Sequence, residues 1–248
     1  MSQDENVLVR PGDPSVPLLA SCEHASRAVP ADVALGAPPE LLDSHWGWDR
    51  WAEDTLLRFT PAAGIATVSA RVSRLVLDVN RAPDAPTLIR AEAGGVELPG
   101  NRGLSPAEVA ARVARFHTPY HAALDRELSA LVARCGRERA LLVAMHSFTP
   151  VYGEQDRDFE VGVLFDAHEG LAEAAARALE GTGLRARLNE PYSGHRGEIY
   201  SAARHGRAHG IAYFELELNQ GLLEDEDRRA DVAAALGRVL PALVQTLP

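Results

Sequence analysis

The sequence contains no lysine, so every one of its 25 basic residues is an arginine. The 35 acidic residues outnumber them and give a formal net charge of -10 at pH 7. This balance repels the phosphates of a nucleic acid or an anionic membrane surface, so we expect neither as a partner. The arginines remain suited to binding carboxylates inside a local site, because a guanidinium group can form paired hydrogen bonds with them.

Cysteine is scarce, and long apolar runs are absent. Cys22 and Cys135 are too few to form a disulfide framework. Polar residues interrupt each apolar stretch before it reaches the roughly 18 residues that a membrane-spanning helix needs. The acidic first residues, MSQDENVLVRPGD, do not resemble a secretory signal peptide. We therefore expect a soluble, cytoplasmic protein.

The length and the apolar pattern favour one α/β domain over residues 1–248. The 46% of hydrophobic residues can fill a sizeable core. Short apolar runs alternate with longer amphipathic stretches, which is typical of βα units around a largely parallel sheet. The predicted strands are 16–21, 65–69, 74–79, 141–146, 160–165 and 211–218. The predicted helices are 39–59, 106–134, 171–180, 198–205 and 225–243.

Two histidines lie at the ends of predicted strands, where α/β proteins bind their ligands. His24 follows the first predicted strand, and His146 ends the fourth. Two histidines, a carboxylate and an open position for water are typical of a catalytic zinc site. His45 and Asp49 are four residues apart in a predicted helix and would share a face, so this face can supply the third ligand.

Charged residues interrupt the apolar segment SRLVLDVNR, residues 73–81. A buried arginine is costly unless it is paired, so one interpretation is that Asp78 pairs with an arginine inside the core. The other interpretation is functional. Arg81 and Asn80, at the end of the predicted strand, would bind a substrate carboxylate.

Two carboxylates share one face of the last predicted strand. Glu215 and Glu217 are two residues apart, and side chains alternate along a strand. One of them can be a general base that takes a proton from water as the water attacks a carbonyl. A solvated glutamate on an edge strand is the simpler alternative.

Two other patterns are less specific. His117 and His121 have the spacing of a helical metal site, but the same spacing is common at packing contacts between helices. Cys22 close to His24 suggests a cysteine nucleophile, provided that the extended backbone continues to His24.

Six segments, spread in order over nearly the whole chain, resemble motifs of the N-formylglutamate amidohydrolase family. They are CEHAS at 22–26, SRLVLDVNR at 73–81, FHTPYHAAL at 116–124, HSFTP at 146–150, NEPYSG at 189–194 and ELELNQGLL at 215–223. The family is similar to the zinc carboxypeptidases and aspartoacylase. The resemblance therefore implies a phosphorylase/hydrolase-like fold, a three-layer α/β/α sandwich with a mostly parallel mixed sheet.

The resemblance also implies the chemistry of the site. Zinc is the expected cofactor, with cobalt, manganese or iron as alternatives, and His24 and His146 are its expected ligands. Glu217 would be the general base, and Arg74 would polarise the scissile carbonyl. The expected reaction is hydrolysis of the amide bond of an N-acyl amino acid, with N-formyl-L-glutamate giving formate and glutamate as the leading case.

By the same resemblance, Asn80 and Arg81 would clamp the α-carboxylate of the substrate. Many family members carry an arginine after the asparagine of the last motif, where this chain has Gln220. That exchange leaves open how the side-chain carboxylate of glutamate would be bound.

The third metal ligand departs from the pattern of the similar enzymes. They place a carboxylate three residues after the first histidine, where this chain has Arg27, which cannot bind zinc. The candidates are Asp49 and Glu23, and we favour Asp49 because Glu23 would point to the opposite face of the strand from His24. Two alternative functions follow from this departure and from Cys22: a catalytically silent binder of small carboxylates, and a Cys22-dependent amidase.

Overall fold

The computed structural model describes residues 5–247, except for the side chain of Gln155. Its strands are β1 Val7–Arg10, β2 Leu18–Cys22, β3 Ala66–Ala70, β4 Glu92–Ala93, β5 Val96–Glu97, β6 Leu141–Phe148, β7 Val151–Tyr152, β8 Gln155–Asp156, β9 Val161–Leu164, β10 Ala186–Leu188 and β11 Ala212–Asn219. Its α-helices are α1 Pro39–Asp43, α2 Arg50–Phe59, α3 Pro106–Arg112, α4 Thr118–Cys135, α5 Glu169–Glu180, α6 Tyr200–His209, α7 Gln220–Leu223 and α8 Glu226–Val244. No helix in this range is long and apolar enough to cross a membrane.

The central element is a mixed sheet with the strand order β1-β3-β2-β6-β11-β9-β10. The four middle strands, from β3 to β11, run parallel to one another. The edge strand β1 is antiparallel to β3, and β9 is antiparallel to β11 but parallel to β10. This mostly parallel mixed sheet confirms the predicted α/β class.

The two faces of the sheet bury their side chains against different helices. On β6, Leu141, Val143 and Met145 join the core formed with α2, α5 and α8. The alternate residues Leu142 and Ala144 join the core formed with α4 and α6. Because both faces are covered, the successive residues Leu141 to Met145 of β6 are all apolar and buried. The predicted three-layer α/β/α sandwich is thereby confirmed.

The parallel strands bring polar residues to one edge of the sheet. His24 lies just beyond the end of β2, and His146 lies near the end of β6. In the register of β11 and β6, Glu217 is the partner of His146. Residues that are far apart in the sequence therefore meet because their strands end at the same edge.

The predicted helix 39–59 was wrong, because the chain forms two helices with a break between them. The backbone of Ser44 is extended, and its hydroxyl donates to the carbonyl of Leu41 at 2.7 Å. A side chain at Gly47 would overlap the carbonyl oxygen of Leu42, so the chain folds back closely on α1 here. His45 therefore lies in the break, and Asp49 precedes α2 as its N-cap residue. The two residues do not share a helical face as predicted.

The predicted strand 74–79 was also wrong. The segment forms turns, in which the amide of Val76 donates to the carbonyl of Ser73 at 2.9 Å. The amide of Asp78 donates to Leu88 at 2.9 Å, in the long connection that covers the segment. Its apolar residues are buried under this connection instead of in the sheet, and burial alone gives the same apolar run as an inner strand. The sequence pattern also missed β1, β10 and the two hairpins β4–β5 and β7–β8.

A close contact between α6 and the sheet gives a test of the packing. A methyl group at Gly206 would overlap the ring of Tyr213 on β11, which is buried and cannot move aside freely. We expect Gly206→Ala to lower the free energy of unfolding by about 1–3 kcal/mol, despite the better helix propensity of alanine. Urea-induced unfolding measures the change.

The matched control is Gly170→Ala in α5, where the added methyl group meets open space. This substitution should leave stability unchanged or raise it by up to about 1 kcal/mol. An equal effect of the two substitutions would contradict the packing of α6 on β11.

Candidate functional site

A cleft of about 550 Å³ opens at the carboxyl ends of β2, β6 and β11. Its buried polar residues are His24, Asp49, Asn80, His146, Ser147, Glu215 and Glu217. Five arginines also line it: Arg74, Arg81, Arg90, Arg157 and Arg196. The cleft therefore combines a buried set of acid, base and metal-binding groups with a positively charged wall, although the whole chain is acidic.

Both strand-end histidines turn the same ring nitrogen towards one carboxylate. Nδ1 of His24 lies 3.3 Å from Oδ2 of Asp49, and Nδ1 of His146 lies 3.1 Å from the same oxygen. The two rings meet edge to face with 4.7 Å between their centroids. The structure thus brings together the three residues that the sequence nominated as metal ligands, and their ligand atoms lie within 4.8 Å of one another.

The opposite nitrogen of each ring is held by a second buried carboxylate. Nε2 of His24 lies 2.7 Å from Oδ1 of Asp78, and Nε2 of His146 lies 3.0 Å from Oε2 of Glu23. A ring that donates an Nε2 proton to its carboxylate, Asp78 or Glu23, and carries no second proton has its lone pair on Nδ1. Two lone pairs and a carboxylate oxygen then face one another. This donor set fits a divalent cation, and carboxylates behind the histidines are typical of protein metal sites.

Glu23 is kept ionised by its hydrogen bonds. Its Oε1 accepts from the hydroxyl of Tyr120 at 2.8 Å and from that of Ser21 at 2.9 Å. Burial opposes the charge, but the hydrogen bond and charge of His146, with the Tyr120 hydroxyl, lower the pKa of Glu23 to about 2. Glu23 therefore orients His146 from the side away from Asp49, and it is not placed as the third ligand.

Asp78 connects His24 to an arginine of the cleft. Its Oδ1 also accepts from the amide of Asn80 at 2.9 Å, and its Oδ2 accepts from Nη2 of Arg74 at 2.9 Å. Burial works against ionisation, but the charges of Arg74 and His24 hold the pKa of Asp78 well below its usual value. Arg74 thus forms the buried pair expected from the sequence and still lines the cleft.

Asn80 and Arg81, the two residues predicted to bind a substrate carboxylate, are held by different hydrogen bonds. The side-chain oxygen of Asn80 accepts from the amide of Ser201 at 2.9 Å, in the first turn of α6. Its Nδ2 lies 3.4 Å from Nε2 of His146. Nη1 of Arg81 donates to the carbonyl of Asn80 at 2.9 Å, which folds the guanidinium group back over the chain at the cleft. Asn80 is therefore positioned rigidly, and Arg81 presents its charge beside it.

The two glutamates of β11 lie together at the cleft, where one oxygen of each and a ring nitrogen of His146 lie within 4.8 Å of one another. Oε2 of each is buried without a hydrogen-bond partner among the described residues. Burial raises the pKa of Glu215 to about 7 and that of Glu217 well above its usual value. The charges acting on Glu217 include those of Asp49 and Arg74, whereas Glu215 interacts with Glu23 and Arg81. The charge of His146 acts on both glutamates.

The cysteine hypothesis is wrong for this structure. Cys22 is fully buried in the apolar core, and the cleft is lined by other residues. Burial raises the pKa of its thiol well above the usual value, and the charges of Asp49 and Glu23 raise it further. A thiolate nucleophile is therefore suppressed at this position.

Other residues singled out in the sequence lie outside the ligand set. His45 lines the cleft beside Trp46, with 4.8 Å between the ring centroids. Arg27 is exposed and pairs with Asp43. Nε2 of Gln220 donates to the hydroxyl of Ser147 at 3.0 Å, so this side chain is held by β6.

Sequence reasoning missed most of the cleft wall. The guanidinium carbon of Arg157 lies 5.0 Å from the ring centre of Tyr152 and 5.5 Å from that of Tyr192. Arg157 lies in the connection between β8 and β9, and Tyr192 belongs to the NEPYSG motif. Arg90 lies in the connection between β3 and β4. These residues carried no periodic pattern, so only the folded chain brings them to the site.

Comparison with known proteins identifies relatives over nearly the whole chain. A family model described as N-formylglutamate amidohydrolase matches residues 16–223. The N-formylglutamate deformylase of Pseudomonas aeruginosa is 30% identical over a 258-residue alignment, which covers 94% of this chain and 92% of that protein.

Two solved structures share the fold. The gene product Atu2144 from Agrobacterium tumefaciens has a TM-score of 0.87 at 30% identity, with 97% of this chain and 95% of that chain covered. The N-formylglutamate amidohydrolase from Ralstonia eutropha has a TM-score of 0.79 at 20% identity, with 98% of each chain covered. The second likeness supports the fold alone.

The hydrogen bond from Tyr120 to Glu23 gives a test of how the site is held. Tyr120→Phe removes one donor from a buried carboxylate, so we expect the free energy of unfolding to fall by about 1–3 kcal/mol. Chemical denaturation measures the change. The control is Tyr200→Phe, which removes the same hydroxyl from a partly buried ring and should change stability by less than about 0.5 kcal/mol. Equal stability of the two variants would argue against the role of Tyr120.

Proposed function

We infer that this chain, which belongs to the N-formylglutamate amidohydrolase family, hydrolyses the amide bond of an N-acyl amino acid. Membership confirms the resemblance of the six sequence motifs. N-formyl-L-glutamate is the leading substrate, with formate and glutamate as products, and the name of the Pseudomonas aeruginosa relative supports this choice. The observation that carries the proposal is the convergence of two histidine lone pairs and Asp49 at the floor of an arginine-lined cleft.

We propose that His24, Asp49 and His146 hold a zinc ion, with cobalt, manganese or iron as alternatives. Two imidazole nitrogens and one carboxylate oxygen form the protein ligand set of many catalytic zinc sites. Asp78 and Glu23 support it by fixing both histidines with Nδ1 turned towards Asp49. When bound, such an ion supplies Lewis-acid activation of the water and of the amide carbonyl.

Glu217 is the proposed general base. Its Oε2 has no hydrogen-bond partner within residues 5–247, the residue pairs with His146 in the sheet register, and the charges of Asp49 and Arg74 act on it. Glu217 takes a proton from the attacking water as the new C–O bond forms. It then gives this proton to the leaving nitrogen as the C–N bond breaks. A buried carboxylate suits this exchange because burial raises its proton affinity.

Arg74 is the proposed group that stabilises the negative charge developing on the carbonyl oxygen. Its pairing with Asp78 holds the guanidinium group in place before the substrate arrives. A donor fixed in advance stabilises a transition state more effectively than one that must reorganise. Asn80 and Arg81 would receive the α-carboxylate beside it.

The wall of the cleft suits a dianionic substrate. Arg90, Arg157 and Arg196 add positive charge to that of Arg74 and Arg81. N-formylglutamate carries two carboxylates, and the second can be bound by this wall although Gln220 replaces the arginine common in the family. Nε of Arg196 lies 2.9 Å from a carboxylate oxygen of Glu198, which also lines the cleft, so we assign the second carboxylate to Arg90 and Arg157.

The proposal also covers the domain organisation, the location and the partners of the protein. We propose that residues 1–248 form a single amidohydrolase domain, which includes residues 1–4 and 248, outside the described range. We also propose a cytoplasmic enzyme that acts on a small molecule, without nucleic-acid or membrane partners.

The role of Glu217 is tested by formate release from N-formyl-L-glutamate. Glu217→Gln keeps the shape of the side chain but removes the base, so we expect kcat to fall by about 10²–10⁴-fold while the substrate still binds. Glu180→Gln, at an exposed position at the end of α5, is the control and should leave kcat unchanged. Near-normal turnover by Glu217→Gln would contradict the assigned role. No formate release by the unsubstituted protein would favour the silent binder.

A further inference from the structure

We propose a second divalent-metal site, formed by Asp125 of α4 with His205 and His209 of α6. Nδ1 of His205 lies 2.8 Å from Oδ1 of Asp125, and Nε2 of His209 lies 3.1 Å from the same oxygen. The three ligand atoms lie within 4.8 Å of one another. None of these residues lines the cleft, so this cluster is separate from the proposed catalytic site.

The two helices present these groups to one another in a fixed arrangement. His205 and His209 are four residues apart on α6, so they share one face. The side chain of His205 is fully buried, that of His209 is 15% exposed and that of Asp125 is 43% exposed. The protein can therefore supply two imidazole nitrogens and a carboxylate oxygen, while solvent reaches the remaining position. Zinc favours such a mixed nitrogen and oxygen set.

A count of protons gives an independent reason for a cation. A chain of hydrogen-bond contacts leads inward from Asp125. His205 contacts Asp125, Nε2 of His205 lies 2.7 Å from Nδ1 of His121, and Nε2 of His121 lies 3.0 Å from the carbonyl oxygen of Val79. Both ends of this chain are acceptors. Its three contacts need three protons, but two neutral imidazoles carry only two.

The third contact needs a further proton or a metal ion. If His121 donates to Val79 and His205 donates to His121, the lone pair of His205 lies on Nδ1, facing Asp125. A metal ion bound there, with His209, takes the place of the third proton.

Arg204 is the charged neighbour that acts against a bound cation. Its Nη1 lies 3.3 Å from Nε2 of His205, a longer contact than that of His121, and because a guanidinium group can only donate, this contact competes with a proton on Nε2. The residue is exposed, so water screens its charge. The negative charge of Asp125 is the group that directly faces the histidine nitrogens.

A metal at this position would stabilise the backbone around Asn80 and Arg81, the residues proposed to bind the substrate carboxylate. It joins α4 to α6, and His121 connects it to the carbonyl of Val79. The neighbouring His117 contacts the carbonyl of Arg81 at 3.0 Å. The backbone on both sides of Asn80 is therefore held by His121 of α4 and by His117, the N-cap residue of α4. We assign the ion a structural role, because it lies away from the reacting groups.

Zinc stoichiometry tests the proposal, provided that the two sites are counted separately. His146→Ala removes a ligand of the proposed catalytic site only. After metal removal, reconstitution with zinc and removal of free ions, we expect this variant to keep about one zinc per chain by mass spectrometry. The double variant His146→Ala/His209→Ala should keep none. The control, His146→Ala/His195→Ala, changes an exposed histidine outside the cluster and should again keep about one.

Equal zinc in the double variant and its control would overturn the proposal, and so would a His146→Ala protein without zinc. In that case the histidines share a proton. If His146→Ala does not fold, the unsubstituted protein is compared with His209→Ala and Asp125→Asn, each of which should hold about one zinc fewer per chain.

Thermal unfolding supplies the second readout. Zinc should raise the Tm of His146→Ala and of its control but not that of the His209 double variant, because only a folded second site binds it. An equal rise in the double variant would also overturn the proposal. Neither measurement depends on formate release, so failure of the second site and failure of the proposed function are distinguishable.

Discussion

The arrangement of the site depends on two buried hydrogen bonds, from Nε2 of His24 to Asp78 and from Nε2 of His146 to Glu23. They place both lone pairs on the side of Asp49, which is where a metal can bind. Each supporting carboxylate is stabilised in turn, Asp78 by Arg74 and Glu23 by the hydroxyl of Tyr120. Removing one partner from such a network leaves a buried charge without compensation, so the groups act as a unit.

The fold explains how such distant residues reach one place. Parallel strands end at the same edge of the sheet, so β2 and β6 deliver the histidines and β11 delivers Glu217. Asp49 does not follow a strand but precedes helix α2. The break between α1 and α2 lets its amide donate to the carbonyl of His24 at 2.8 Å, which ties the start of α2 to the end of β2. The carboxylate is thereby fixed beside both rings.

The sequence predicted the parts of the site that depend on strand ends, because a short buried strand leaves a clear apolar run with a polar residue after it. It placed Asp49 near the histidines for the wrong reason, since helical spacing does not describe a residue beyond a helix break. The segment 74–79 was mistaken for a strand because burial under a loop gives the same apolar pattern. Contacts such as that of His121 with His205, 84 residues apart, have no local pattern and required the folded chain.

The most direct test of the account is a crystal structure of the active, zinc-loaded enzyme with anomalous scattering recorded at the zinc absorption edge. We expect an ion in the cleft at about 2.0–2.2 Å from Nδ1 of His24, Nδ1 of His146 and a carboxylate oxygen of Asp49, with both Nε2 atoms still bound to Asp78 and Glu23. An active crystal without an ion in the cleft, or with an ion on the Nε2 atoms, would contradict the account.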